Sequence, residues 1–172
     1  MNEKNGFTLI ELMITLAVAA IVLTVGIPSF QDFVYNNRLT TQANRFVTDM
    51  ALARSTAVKY QRNAQMCVST SYNTANPACT GGTNWGTGWI VWIDKDRDNV
   101  IDSATEVIRV AEPVSGTTTF TSAARSGFTY NSRGFINATD TLTLCDNRTA
   151  ETGRNITLRP SGHLNITQPA CP

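Results

Sequence analysis

The chain has 172 residues, enough to bury one sizeable core. Fourteen basic residues against 13 acidic ones leave a net charge of +1, so no overall field recommends nucleic acid or an acidic partner. Hydrophobic residues make up 42% but are unevenly spread: the first thirty residues are very apolar, and the part beyond Gln61 is rich in Thr, Asn, Ser and Gly. That asymmetry points to an N-terminal membrane element carrying an exported soluble domain.

The first element is the stretch MNEKNGFTLIELMITLAVAAIVLTVGIPSF. No charge occurs from Leu12 to Gln31, and a helix of twenty such residues reaches roughly 30 Å, the thickness of a bilayer's hydrocarbon. Glu11 sits just inside the start of this run, where a carboxylate is costly to place. An ordinary secretory signal would show a clearly basic start and a cleavage site after its apolar core. Here Lys4 is offset by Glu3. A plain anchor would explain the length but not the glutamate.

GFTLIEL, Gly6 to Leu12, resembles the class III signal of type IV pilins and type II secretion pseudopilins. The resemblance implies a leader of residues 1–6, cut by a prepilin peptidase between Gly6 and Phe7, and N-methylation of the new Phe7 amine. Residues 7–31 would then form the transmembrane and filament-core helix. Glu11 becomes the assembly glutamate, and Pro28 falls where pilins commonly carry a helix-disrupting proline. A carboxylate one turn from a new positive amine, or on an adjacent subunit, can neutralise it in low dielectric. Gly26 and Pro28 weaken helix hydrogen bonding, as in a filament-specific unwinding or an ordinary membrane-helix kink.

Residues 32–172 read as the soluble domain. Phe30, Phe33, Val34, Ala43, Phe46, Val47, Met50, Ala57 and Val58 recur at spacings near three and four, which continues the helix to about Tyr60. Arg38, Arg45, Asp49, Arg54 and Lys59 are interspersed, and the basic residues among them read as a solvated face rather than a ligand site. From Gln65 the texture is β: MCVST, GWIVWID, EVIRVA, TTTFT, GFTYN, TLTLC, NITLR and HLNIT are separated by turn-rich pieces. The expected fold is α+β, a long N-terminal helix packed on antiparallel sheet. Trp85, Trp89 and Trp92 read as hairpin and core residues. Cys67, Cys79, Cys145 and Cys171 form no metal-like cluster, and they read as two disulfides. Three connectivities are open; pairing sequence neighbours, Cys67–Cys79 and Cys145–Cys171, is preferred.

Asp94, Asp96, Asp98, Val100 and Asp102 have the alternating spacing of a calcium loop. Asn99 stands where glycine is expected, Thr105 takes the bidentate glutamate position, and Glu106 falls one residue late. The expectation is therefore no cofactor, with calcium as the alternative and a tight acidic hairpin, Asn99 in a left-handed conformation, as the simpler account. This hairpin resembles that of the FimT/FimU and type II secretion H-class minor pilins. In that group the DNA-uptake members carry a basic Gly-Arg-x-Arg motif, aligned here with Gly162-His163-Leu164-Asn165, without either arginine. Arg148, Arg154 and Arg159 are the remaining DNA-binding candidates. Residues 120–172 hold five arginines against three carboxylates, a net of +2, with no interleaved stacking aromatics.

The resemblance thus implies a structural, non-enzymatic minor pilin. It would sit single-pass in the inner membrane with its domain in the periplasm, prime type IV pilus assembly and join the pilus near its tip. The implied partners are other minor pilins, the major pilin, the prepilin peptidase and the inner-membrane assembly platform. Two alternatives are a DNA-binding competence pilin and a type II secretion pseudopilin.

Overall fold

A computed structural model describes residues 8–103, 105–148 and 151–171. Helix α1 spans Leu9–Tyr60, and the chain divides within it into two units, one ending at Asn37 and the other beginning at Arg38. Gly6 and Phe7 lie outside the described residues.

In the first unit every residue from Thr8 to Val34 is exposed. Apolar side chains point to all sides, so no amphipathic stripe marks a core-facing surface. Thr15 and Thr24 donate their hydroxyls to the carbonyls of Leu12 and Ile21, both at 2.9 Å, which satisfies these two groups in an apolar setting. The helix continues through Pro28, whose missing N–H leaves the Thr24 carbonyl without its i+4 donor. Phe30 and Phe33, grouped from the sequence with the domain-facing positions, are exposed and extend this apolar surface instead.

In the second unit the helix changes character. Leu39, Ala43, Phe46, Met50, Ala53 and Ala57 are all buried, at alternating spacings of four and three. Val58 falls off that stripe and is exposed, contrary to the sequence reading. The helix ends in a left-handed cap: Gln61 has φ 54°, Arg62 N–H donates to Ala57 O at 3.2 Å, and the Gln61 amide donates to Val58 O at 2.8 Å.

Eight strands follow: β1 (Ala64–Val68), β2 (Trp89–Ile93), β3 (Val107–Ala111), β4 (Thr119–Ser122), β5 (Gly127–Tyr130), β6 (Asp140–Cys145), β7 (Arg154–Leu158) and β8 (Leu164–Thr167). They form two four-stranded sheets, ordered β3-β2-β1-β5 and β4-β6-β7-β8, with every pairing antiparallel. A short 3-10 helix, Trp85–Thr87, precedes β2. One core joins the helix stripe to both sheets through Met66, Trp89, Val91, Phe120, Phe128, Leu142, Leu144 and Ile156.

Phe46 is the centre of that core. Its ring meets Trp85, Trp89 and Phe120 edge-on at 5.3, 5.8 and 5.1 Å, and Trp85 stacks on Phe128 at 5.5 Å. All three tryptophans are buried, Trp92 in a smaller cluster with Cys67 and Ile90. Two disulfides join Cys67 to Cys79 and Cys145 to Cys171. The second packs against Gly153, where a Cβ would lie 2.6 Å from Cys171 Sγ and 2.5 Å from Leu144 O. Only glycine fits there.

Tyr130 ties the sheets' ends together, its hydroxyl donating to Gly162 O at 3.0 Å. Gly162 has φ +78°, and an added Cβ would meet Tyr130 Cε1 and Gly134 O, each at 2.7 Å. Burial pushes the Tyr130 pKa up to about 12, against a lowering pull from Arg54. The folded chain therefore keeps a proton that an unfolded tyrosine, titrating near 10, releases. Stability from this group is complete below about pH 10 and falls as pH rises towards 12. Chemical denaturation across that window is expected to show the loss in the parent chain and a shallower one in Tyr130→Phe.

Candidate functional site

Three places in the sequence carried functional expectations, and the structure treats each differently. The first is the start of α1. Thr8 donates its N–H (3.0 Å) and hydroxyl (2.9 Å) to Glu11 Oε2, and Glu11 N–H returns a bond to Thr8 Oγ1 at 3.3 Å. This is a reciprocal capping box, which satisfies N–H groups that a helix start leaves without partners. The sequence signal for it, Thr-x-x-Glu, is present in TLIE. Glu11 is thus engaged locally in the single chain, and its charge is the only one from Leu9 through Gln31.

The second place is the acidic hairpin between β2 and β3. Asp94 and Glu106 are buried there, whereas Asp96, Asp98 and Asp102 are exposed. The carboxylates fall into two overlapping groups, Asp94–Asp96–Glu106 and Asp96–Asp98–Asp102, with ligand atoms within 4.8 Å in each. The four aspartates of the calcium spacing therefore do not share one centre. Glu106 joins Asp94 and Asp96 in the inner group, and its two oxygens accept Lys95 N–H (3.0 Å) and Asp102 N–H (3.3 Å) and close the loop. Asp94, Asp96 and Asp98 each accept a backbone N–H two or three residues ahead, from Arg97, Asp98 and Val100. Asn99 has φ 60°, the left-handed form expected of it, and Arg97 shares that form at φ 78°. Asp102 has its pKa raised, foremost by the neighbouring Asp96 charge.

The third place is the arginine trio, which the structure breaks up. Arg154 is only 8% exposed, and its guanidinium donates to Thr152 O (3.1 Å), Gly153 O (2.8 Å) and Thr40 Oγ1 (3.1 Å). Arg148 clasps Asp146 through Nε and Nη2, at 3.1 and 2.9 Å, with Glu151 at 3.6 Å. Burial works to raise the Asp146 pKa, but the Arg148 hydrogen bonds outweigh it and hold the carboxyl below its usual range. Arg159 alone is exposed, and its N–H closes the β7–β8 turn on His163 O. Three cations that would share a phosphate surface thus divide into two internal fasteners and one turn residue. Arg154→Ala is expected to lower unfolding stability by about 2–3 kcal/mol, and Arg159→Ala by less than about 0.5, in denaturant melts.

The helix face read as solvated holds one residue that composition did not mark. Asp49 is 1% exposed; its Oδ2 accepts Trp89 Nε1–H at 2.9 Å, and its Oδ1 pairs with Arg109 Nε at 3.3 Å. Arg45 lies over the same Trp89 ring, 5.1 Å from its centroid, and donates to Glu112 O. Arg54 donates to Ser161 O. These polar contacts lock the helix to the sheets.

A family model described as type II transport protein GspH matches residues 42–162, and one for the prokaryotic N-terminal methylation motif matches residues 1–27. Among curated relatives, prepilin peptidase-dependent protein D of Escherichia coli is 40% identical over 47 residues, 27% of this chain and 32% of that protein. Fimbrial protein Q of Moraxella bovis is 36% identical over 55 residues, 32% of each chain. The chain thus spans about a third of the length of the curated relatives it matches. The crystal structure of the type IV minor pilin FimU of Pseudomonas aeruginosa superposes with a TM-score of 0.59 at 19% identity, covering 80% of this chain and 96% of that one. The helix on antiparallel sheets is the pilin fold, and one helix is long and apolar enough to cross a membrane. The chain belongs to the GspH family of type II transport proteins and carries the prokaryotic N-terminal methylation motif.

Proposed function

We propose that the chain is a minor pilin that helps initiate type IV pilus assembly and stays near the pilus tip. The observation that carries this reading is the first unit's surface: apolar on every side, exposed from Thr8 to Val34, with Glu11 as its single charge over the membrane-length run. Such a surface needs lipid before assembly and apolar neighbours after it. In this reading the precursor sits single-pass in the inner membrane with its β domain in the periplasm. The prepilin peptidase removes residues 1–6, Phe7 is methylated, and the assembly platform delivers the helix to other minor pilins and the major pilin. Pro28 supplies the weak point at which the helix adjusts to its neighbours.

The internal engagement of Arg148 and Arg154 weighs against a DNA-capturing role. A pseudopilin role in protein export uses the same two units, and the test separates the two. Deleting the gene is expected to cut the number of pili per cell while secreted protein levels hold. Gold-labelled chain is expected at one end of sheared pili. Label along the whole filament, or intact piliation with failed secretion, would overturn the proposal.

A further inference from the structure

Strand β3 ends its sheet, so one of its edges carries backbone groups with no neighbouring strand. The pairing with β2 contains an irregularity: Val91 faces Arg109 and Trp92 faces Val107, which leaves Ile108 as an extra residue in β3. A bulge of this kind redirects its side chain. Ile108 lines a groove of about 380 Å³ between the end of α1 and the β2–β3 hairpin. Leu52, Tyr60 and Ile93 share the lining, and Lys59 and Lys95 bring two ammonium groups to it.

Neither lysine is in an ion pair among the described residues. Lys59 Nζ lies 5.1 Å from the Tyr60 ring centroid, and Lys95 Nζ donates to Thr105 O at 2.7 Å, which leaves each with further donors. Both side chains are exposed. Apolar floor, paired positive rim and an unpaired strand edge therefore occur together on a single face of the domain.

We propose that the β3 edge and this groove dock an extended, acidic segment of a neighbouring pilin subunit. The segment adds main-chain hydrogen bonds to β3, sets an apolar side chain against Ile108 and Leu52, and presents a carboxylate to Lys59 and Lys95. Main-chain pairing supplies affinity, and the groove with its lysines supplies the choice of partner. The occupant is acidic because two desolvating ammonium groups beside an apolar floor need an anion to match them. This inference rests on the pilin reading above and adds to it a surface and a partner chemistry.

The test places the photocrosslinker p-benzoylphenylalanine at position 108 of the full-length chain in piliated cells and maps the product by mass spectrometry. The expected product joins this chain to an extended segment of another pilin-like subunit that carries Asp or Glu. Lys59→Glu with Lys95→Glu is expected to lower its yield about tenfold, since two exposed pairs contribute roughly 1.4 kcal/mol together. Reversing the mapped carboxylate to lysine is expected to restore it. A product with a second copy of this chain, a yield indifferent to the charge reversals, or no product in normally piliated cells would overturn the proposal. All three altered side chains are exposed, and unchanged melting of the variants separates a lost contact from a lost fold. Unaltered pilus number on deletion of the gene would instead sink the pilin reading, whatever position 108 captures.

Discussion

Glu11→Ala is expected to reduce the chain recovered in sheared pili at least about 100-fold while leaving its amount in the membrane and its melting temperature unchanged. The reason lies in where the charge sits. Removing a carboxylate from an apolar helix eases membrane insertion rather than hindering it. Glu11 is not a member of the domain core, which begins at Leu39. On the proposed assembly role, what is lost is the charge that a neighbouring positive group meets during docking, and about 3 kcal/mol of that pairing corresponds to a factor of about 150. Glu11→Gln divides the two roles of this side chain. The amide oxygen can still accept from Thr8 and keep the helix start capped, but it carries no charge. If Gln behaves as Ala, the charge acts in assembly; if Gln assembles normally, the cap was the contribution and the electrostatic role is wrong. Gel mobility of each variant checks that a change in the proposed cleavage after Gly6 does not account for the loss.

Phe46→Ala is expected to have the largest effect on the fold, about 4–5 kcal/mol, at the upper end for a buried aromatic. Three features place it there. The ring is fully buried, it makes edge contacts with three other aromatic rings, and these come from the 3-10 helix, β2 and β4. The void would open where helix and both sheets meet, so no single element can move to close it. Against a typical total of about 5–15 kcal/mol, such a loss leaves the domain near unfolding at growth temperature. In detergent-solubilised full chain the near-ultraviolet melt should shift down by more than about 10 °C. Phe46→Leu, which retains most of the volume, should lose less than half as much. A small shift for alanine would mean that the core relaxes around the site and that the aromatic cluster is not its centre.

The features legible in the sequence were those whose cause is local. Eight β-rich segments announced themselves because alternation and turn residues act within a few positions, and each became a strand. The helix stripe was half legible: Ala43, Phe46, Met50 and Ala57 lay on it, but continuing the same spacing backwards wrongly enlisted Phe30, Phe33 and Val34, and forwards Val58. Apolar residues repeat in the membrane run whatever their angle, so periodicity has no purchase there. The burial of Asp49 was not legible because its partners, Trp89 and Arg109, lie 40 and 60 residues away in the chain. The same distance problem hid Arg154, whose burial depends on Thr40 from the helix. The calcium spacing missed Glu106, since a twelve-position template counts residues, whereas the loop closes through hydrogen bonds to Lys95 and Asp102. The Thr8–Glu11 cap is local too, since both partners of TLIE lie within one helical turn and the glutamate acts there as an acceptor.

The two crosslinks also decide how the domain behaves under tension. On the pilus-tip role proposed above, the subunit is pulled between its helix and the partners of its domain. Each cystine shortens the thread that can be drawn out, by the 12 and 26 residues it spans. At about 3.5 Å per residue the oxidised chain reaches on the order of 100 Å less than the reduced one before it is taut. The withheld lengths include the loop after β1 and the whole β7–β8 hairpin, so these cannot be spooled out even when the core gives way. The bonds thus act as stops on extension as well as constraints on folding, and they leave strands β2 to β6, between Cys79 and Cys145, as a stretch of the domain free to yield and recoil.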